Sequence, residues 1–315
     1  MKKYLPGQKK SLFPLVSVVI PVFNGSRYLT ETIISVQNSS YKNIEIILVD
    51  DGSLDHSKKL CQSLSKQYLN IKFFSFSRNT GLGRVLNFAL KMAKGKYICR
   101  INQDDRMLKD RIKTQLNFLR EHLDVVAVGS QICLFFDHNK KQTVHFPTND
   151  TAIRSVWQIV SPFSDPSVMY RKEIALKVGG YDQNFWPADD SQLWYRLSQH
   201  GKLANIDKVL VEVRFHNEAA SVKYFRKLAI STYKMHLWFA ENIEKPTIAV
   251  RLFWLLQLGA GLTLSPQLNW KIYRLIKRGL SYYYRFLLLL KSKRNKITML
   301  NKVNSHPIKL SFSGK

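Results

Sequence analysis

Cysteine is scarce in this chain: Cys61, Cys99 and Cys133 are the only three among 315 residues. Thiols so few and so scattered make neither a disulfide framework nor a metal cluster. Each reads as a small buried hydrophobe in a reducing compartment. Long apolar runs are missing as well, and none reaches the ~18 residues that a membrane-spanning helix needs. The N-terminus is basic (Lys2, Lys3, Lys9, Lys10) and turns apolar at Leu12, but Pro14 and Pro21 interrupt the run. No small-residue cleavage site closes it, so it reads as a buried strand rather than a secretory leader. The expected location is the cytoplasm. Internal repeats and recognisable nucleic-acid-binding modules are also lacking.

What the sequence has is apolar residues and positive charge. An apolar fraction of 45%, with 18 Phe, is ample for a packed core and excludes global disorder. The formal charge of +27 is unevenly spread. From Val222 onward there are 18 Lys and Arg against Glu241 and Glu244 alone, a net +16, and the first 221 residues carry the other +11. On charge alone, nucleic acid and an anionic membrane surface are both compatible partners.

Strand and helix signals alternate through the first two-thirds. Val16–Ile20, Ile44–Val49, Ile71–Ser75 and Lys96–Ile101 are β-rich runs. Helical patterns occupy Tyr28–Gln37, a polar stretch after Ser53, and Arg84–Ala93. Buried strands separated by helices predict a doubly wound, largely parallel sheet. A more irregular half follows: a helix over Ile112–His122, strands at Val125–Ser130, Ile132–Phe136, Ser167–Tyr170 and Val209–Phe215, and a helix over Asp189–Gln199. From about Val222 the chain becomes helical, aromatic and basic, with apolar blocks at Arg251–Leu264 and Tyr282–Leu290. Such flanks suit an interfacial placement on a membrane, and equally a cap packed on the preceding domain. The expected organisation is a basic tail over 1–14, a catalytic domain over 15–221 and a basic helical region over 222–315, with a disordered tail beyond Lys296.

Two strands end in acidic turns, Asp50-Asp51-Gly52-Ser53 and Asn102-Gln103-Asp104-Asp105, where ligands bind in open α/β sheets. Any one Asp there is explained by turn formation or helix capping. Two clusters at corresponding strand ends, with a third at Asp189-Asp190, would repel each other unless something cationic or a hydrogen-bond donor sat between them. A divalent metal holding a diphosphate is one solution.

The segments Val-Ser-Val-Val-Ile-Pro-Val-Phe-Asn (16–24), Ile-Leu-Val-Asp-Asp-Gly-Ser (47–53), Arg78-Asn79-x-Gly81-Leu82, Gly95-Lys96-Tyr97-Ile98 and Asp104-Asp105 resemble family 2 glycosyltransferases. So do Pro166-Ser167-Val168-Met169, Val178-Gly179-Gly180-Tyr181-Asp182, Ala188-Asp189-Asp190 and Leu193-Trp194. The match is collinear over roughly 15–220. It implies a GT-A fold, a nucleotide-diphosphate sugar donor (UDP- or dTDP-linked), Mg2+ or Mn2+, and inversion at the anomeric carbon. Pro21, Phe23 and Asn24 would line the nucleotide pocket, and Asp51 would accept from a pyrimidine N3–H. Arg78 and Arg84 would contact the diphosphate or base. Arg100, Asp189 and Trp194 would border the sugar or acceptor. Asp104, with Asp105 beside it, corresponds to the metal carboxylate, and Asp190 to the general base. His216 could reach the metal or diphosphate, and reads equally as an ordinary loop histidine.

The chain departs from the family pattern at Asn102, where Asp is frequent, so the metal would be held chiefly by Asp104 and the donor. Asp189 replaces a Glu, Gln192 a frequent Asp, and Asp165 a usual His. A sugar nucleotidyltransferase of similar topology needs a Gly-rich basic loop after strand one, and Pro21-Val22-Phe23-Asn24-Gly25 is not one. The implied acceptor is a lipid-linked or growing surface polysaccharide, with the enzyme peripheral on the inner face of the cell membrane. The competing reading is a basic nucleic-acid- or membrane-binding protein on a catalytically weak GT-A scaffold.

Overall fold

The structure is a computed structural model that describes residues 13–136, 141–216 and 218–265, with scattered positions from 268 to 279. The first half runs β1 (Val16–Val22), α1 (Leu29–Gln37), β2 (Ile44–Asp50), α2 (Ser57–Gln67), β3 (Ile71–Ser75), α3 (Leu82–Met92), β4 (Tyr97–Arg100), β5 (Arg106–Met107) and α4 (Arg111–Glu121). The second half runs β6 (Val125–Phe135), β7 (Lys141–Val144), α5 (Asp150–Val156), β8 (Met169–Arg171), α6 (Lys172–Lys177), α7 (Asp189–Leu197) and β9 (Lys202–Arg214). Three helices follow: α8 (Ala220–Lys223), α9 (Phe225–Asn242) and α10 (Ile248–Thr263).

The strands form one sheet in the order β3-β2-β1-β4-β8-β6-β9-β5, with β7 paired to β6. β3, β2, β1 and β4 are mutually parallel. β1 and β2 are buried at every position, as continuous apolar runs in a sheet covered on both faces must be. Their side chains alternate between two cores. Val16, Val18, Ile20 and Val22 join Ile46 and Leu48 beneath α1, α2 and α4. Val19, Ile47 and Val49 face α3 and α7 with Val85, Ala89 and Leu193. The chain leaves β1 in one direction for β2 and β3 and returns on the other side of β1 as β4. That places a topological switch point between the carboxyl ends of β1 and β4, the place where such sheets bind ligands.

The irregular half differs from its sequence reading in two ways. Val125–Ser130 and Ile132–Phe136 form a single strand, β6, and β9 begins at Lys202 rather than Val209. The pairing of β6 with β9 is parallel, and its register slips between Ser130 and Gln131, where Ile206 and then Val209 are the partners. The polar pair Asp207-Lys208 is accommodated in that bulge, where Gln131 Nε2 donates to Asp207 Oδ1 at 3.0 Å. A bulged residue does not obey the period of two, which hides the strand in the sequence.

Composition changes at residue 222, but the compact unit built around the sheet continues to Asn269. α9 and α10 pack through Trp157, Tyr195, Met235, Phe239 and Trp254. Trp254 Nε1 donates to Gln158 O at 2.6 Å and Trp157 Nε1 to Glu244 Oε2 at 3.3 Å. The Tyr282–Leu290 block and the tail beyond Lys296 lie outside the described residues. Among the described residues no helix is long and apolar enough to cross a membrane.

Candidate active site

The loop after β1 is held by side chains from two other strand ends. Gln103 brackets it, accepting from Phe23 N at 2.9 Å and donating to Phe23 O at 3.0 Å. Asn24 sits at φ 49°, a left-handed conformation that Asn tolerates, and its Oδ1 accepts from Leu54 N at 2.8 Å. Asn24 N, Gly25 N and Ser26 N donate to Ser53, Ser57 and Asp55. With its backbone fixed, Phe23 presents a side chain 38% exposed at the ligand edge.

Asp51, at the end of β2, is buried and binds the 80–81 turn. Its Oδ1 accepts from Thr80 N (2.7 Å) and Thr80 Oγ1 (2.8 Å), and its Oδ2 from Gly81 N (2.9 Å). A carboxylate has about four acceptor positions, so one on Oδ2 is left for a ligand donor. Gly52, at φ +68°, lies against this turn, and a Cβ there would come within 2.4 Å of the Arg78 backbone. The exposed Arg78 thus lies beside the β2 end, and the first turn of α3, just beyond, carries the exposed Arg84.

The acidic turn after β4 divides its two carboxylates between different tasks. Asp104 is partly exposed, and its Oδ2 lies 2.8 Å from Nε2 of His216, just beyond β9. Tyr28 flanks that imidazole with ring centroids 5.4 Å apart. Asp105 turns inward instead. Its Oδ1 accepts from Arg214 N (2.9 Å) and its Oδ2 from Asn102 Nδ2 (3.0 Å), and it is 1% exposed. Burial, then repulsion by Asp104, raises its pKa well above the usual carboxylate value. Grouping Asp105 with Asp104 as a metal ligand therefore does not match its placement: both oxygens are engaged with protein donors away from the ligand edge.

Asn102 explains itself in this setting. Its carbonyl accepts from Arg100 Nη2 at 2.8 Å while its amide donates to Asp105. An Asp at 102 could not donate, and would set two carboxylates face to face. Arg100, expected to border the sugar, lies inside the protein. It is 1% exposed; its Nη1 donates to Ile101 O and its Nη2 to Asn102 Oδ1, and Asp165 Oδ2 lies 3.2 Å from Nη2, while Nε has no hydrogen-bond partner among the described residues. Arg100 is a buried strut between the acidic turn and Asp165.

Asp165 carries the network toward α7. Asp189, in the first turn of that helix, is buried, and its Oδ2 has no hydrogen-bond partner among the described residues. Burial first, then repulsion by Asp165, raises its pKa to about 7. Asp190 is half-buried and accepts from Ser191 N at 2.6 Å. Burial, then Asp165 and Asp189, push it well above the usual carboxylate value. A Cβ on Gly83 would meet Asp189 Oδ2 at 3.4 Å, so the starts of α3 and α7 adjoin. Trp194 points the other way. It is fully buried between Phe163, Tyr170 and Tyr181, so it belongs to the core and not to an acceptor pocket.

Sequence reasoning missed Gln103, which braces the β1 loop, and Arg214. The guanidinium of Arg214 pairs with Glu31, and its Nε donates to Asp104 O at 3.1 Å. The only signal for Arg214 was its position two residues before His216.

Among the described residues no group of three or more His, Cys, Asp or Glu could hold a metal ion. Asp104 Oδ2 and His216 Nε2, hydrogen-bonded to each other at 2.8 Å, offer one oxygen and one imidazole nitrogen side by side. That donor set fits a divalent ion whose remaining ligands come from phosphate oxygens, and does not make a cage on its own.

Comparison with known proteins identifies the family and the fold. Residues 17–179 match the family described as Glycosyl transferase family 2, a segment of just over half the chain that ends before Asp189. The chain is 25% identical over 229 residues to "Amylovoran biosynthesis glycosyltransferase AmsE" of Erwinia amylovora, covering 71% of this chain and 86% of that one. It is 29% identical over 230 residues to the Escherichia coli "UDP-Gal:alpha-D-GlcNAc-diphosphoundecaprenol beta-1,3-galactosyltransferase", covering 72% of this chain and 83% of that one. In fold it resembles S. aureus TarS 1-349 in complex with UDP-GlcNAc (TM-score 0.56, 18% identity, 78% of this chain and 80% of that one). It also resembles the mannosyltransferase PcManGT of Pyrobaculum calidifontis in complex with GDP-Man and Mn2+ (TM-score 0.59, 16% identity, 92% and 84%).

Proposed function

The chain belongs to glycosyltransferase family 2, and from that premise we propose that it moves a hexose from a UDP- or dTDP-linked donor, with inversion, onto a hydroxyl of a lipid-linked or growing surface saccharide. The observation that carries this reading is the Asn102–Arg100–Asp165 bridge. It joins the turn bearing Asp104 to Asp165, whose charge acts in turn on the carboxylates that open α7.

The base of the donor would stack on Phe23, and its N3–H would donate to the remaining acceptor position of Asp51 Oδ2. Arg78 and Arg84, both exposed at this edge, would pair with the diphosphate. Asp104 and His216 would hold Mg2+ or Mn2+ together with that diphosphate, which supplies positive charge where the leaving group develops its negative charge. Asp190 would accept the proton of the attacking hydroxyl as its oxygen bonds to C1 and the bond from C1 to the diphosphate breaks. Its raised pKa makes it a stronger base than an ordinary carboxylate, at the cost of needing a higher pH to be ionised. A single displacement gives inversion and needs no enzyme nucleophile.

The acceptor class is carried over from the amylovoran and undecaprenol-linked relatives, which together cover most of the chain. Such an acceptor would have the enzyme work at the inner face of the cell membrane. A nucleic-acid-binding role is not favoured, because acidic turns at the ligand edge repel phosphates unless a cation intervenes.

The test combines two variants with a panel of nucleotide sugars and Mn2+. Asp190→Asn is expected to lower transfer by about a thousandfold or more while leaving donor binding within about twofold. Asp104→Ala is expected to abolish the Mn2+-dependent part of donor binding. Normal turnover by the Asp190 variant refutes the assignment of the base, and wild-type activity that survives EDTA refutes the metal.

A further inference from the structure

α10 carries an exposed apolar stripe that no part of the catalytic reading uses. At about 100° per residue, Ile248, Leu252, Leu255, Leu256, Gly259 and Leu262 fall within about 120° of arc. Ile248 is 79%, Leu252 56% and Leu256 72% exposed. The residues α10 buries, Trp254 and Gly261, project on the opposite side. That side is fixed. Trp254 stacks on His236 with ring centroids 4.5 Å apart, and a Cβ on Gly261 would meet Ala229 Cβ at 2.3 Å. The helix therefore cannot rotate its leucines inward without losing close packing against α9.

Isolated exposed leucines are ordinary, but a contiguous stripe marks a surface that something covers. Charge indicates what. After Glu244 the sequence contains no Asp or Glu and 14 Lys and Arg. Arg251, exposed, borders the stripe, and Lys245, also exposed, precedes the helix. A second copy of a chain with net charge +27 would be repelled from such a surface. Nucleic acid would engage the cations and leave the leucines wet. An anionic bilayer satisfies both, taking the leucines into the acyl boundary while Lys and Arg stay among the headgroups. At 16 residues α10 is about 24 Å long, too short to cross a hydrocarbon core of about 30 Å.

We propose that α10 lies flat in the interface of an anionic membrane, inserting Ile248, Leu252, Leu255 and Leu256, and so docks the enzyme on a lipid surface. This rests on the reading above that the acceptor is lipid-linked, because docking confines the search for such an acceptor to two dimensions. The inserted residues lie on α10, held outward by the Trp254 contact, so a change there alters membrane affinity without touching the nucleotide edge.

The test is flotation of the full-length protein on vesicles of phosphatidylethanolamine with phosphatidylglycerol, and on vesicles of phosphatidylcholine alone. Wild type is expected to float with the anionic vesicles and to lose binding in high salt, which shortens the screening length to about 3 Å at 1 M. The double variant Leu252→Glu/Leu256→Glu is expected to show a partition coefficient lower on the order of a hundredfold. Its melting temperature and its thermal stabilisation by UDP-sugars should be unchanged. A variant that floats like wild type, or a wild type retained on duplex DNA but not on anionic vesicles, overturns the proposal. So does a wild-type dimer in vesicle-free sedimentation that the variant dissociates. Failure of the function reading looks different: both proteins float or sink as expected, yet neither responds to any nucleotide sugar.

Discussion

Asp165 is the residue through which the site's electrostatics pass. It pairs with Arg100 on one side and repels Asp189 and Asp190 on the other. A base works only when ionised, so activity falls as pH drops through its pKa. Because burial, then Asp165 and Asp189, raise the pKa of Asp190, the acidic limb of kcat/KM should lie well above the ordinary carboxylate value of 3.8. Asp165→Asn removes a repelling charge and leaves Arg100 nearby, so the limb should move toward lower pH. A pH–rate profile measures this directly, and a limb that stays in place or moves upward removes Asp165 from the role. Single residues also mark where sequence reading stops. Asp104 and His216 are 112 positions apart in sequence and 2.8 Å apart in space, so only the fold can pair them. The opposite orientations of Asp104 and Asp105 depend on donors from Asn102 and Arg214. Trp194 sits next to a recognisable acidic pair and is nevertheless core.

At the scale of elements, the strand ends of the parallel half were legible because continuous apolar runs and acidic turns are local signals. The loops that shape the nucleotide edge are set by close approach instead. Gly52 needs a left-handed backbone and has no room for a Cβ beside Arg78. Gly52→Ala is therefore expected to destabilise the fold by about 2 kcal/mol or more, since strain and steric overlap add. It should also weaken donor binding by displacing the turn that Asp51 holds. Chemical denaturation and nucleotide titration check the two effects separately. β9 was under-read for the opposite reason: its bulge at Asp207-Lys208 breaks the alternation by which strands are recognised.

On the scale of the whole molecule, α9 and α10 are packed onto the sheet unit through an aromatic cluster and are part of it. Trp254 is 2% exposed and donates to Gln158 O. Trp254→Ala should cost about 3–5 kcal/mol. Calorimetry should then show one transition at lower temperature, not a separate early transition of the helices. Two features followed from the sequence alone: the doubly wound α/β class and the surplus of positive charge after residue 222. Hydrophobic period and charge are properties of contiguous residues. Tertiary structure alone decided which carboxylates are buried and which stay partly exposed, that Arg100 is a strut, and that the leucines of α10 point outward. Each of those outcomes depends on which distant donors, cations or aromatic rings reach a side chain, and contacts across 100 positions leave no mark on the local pattern.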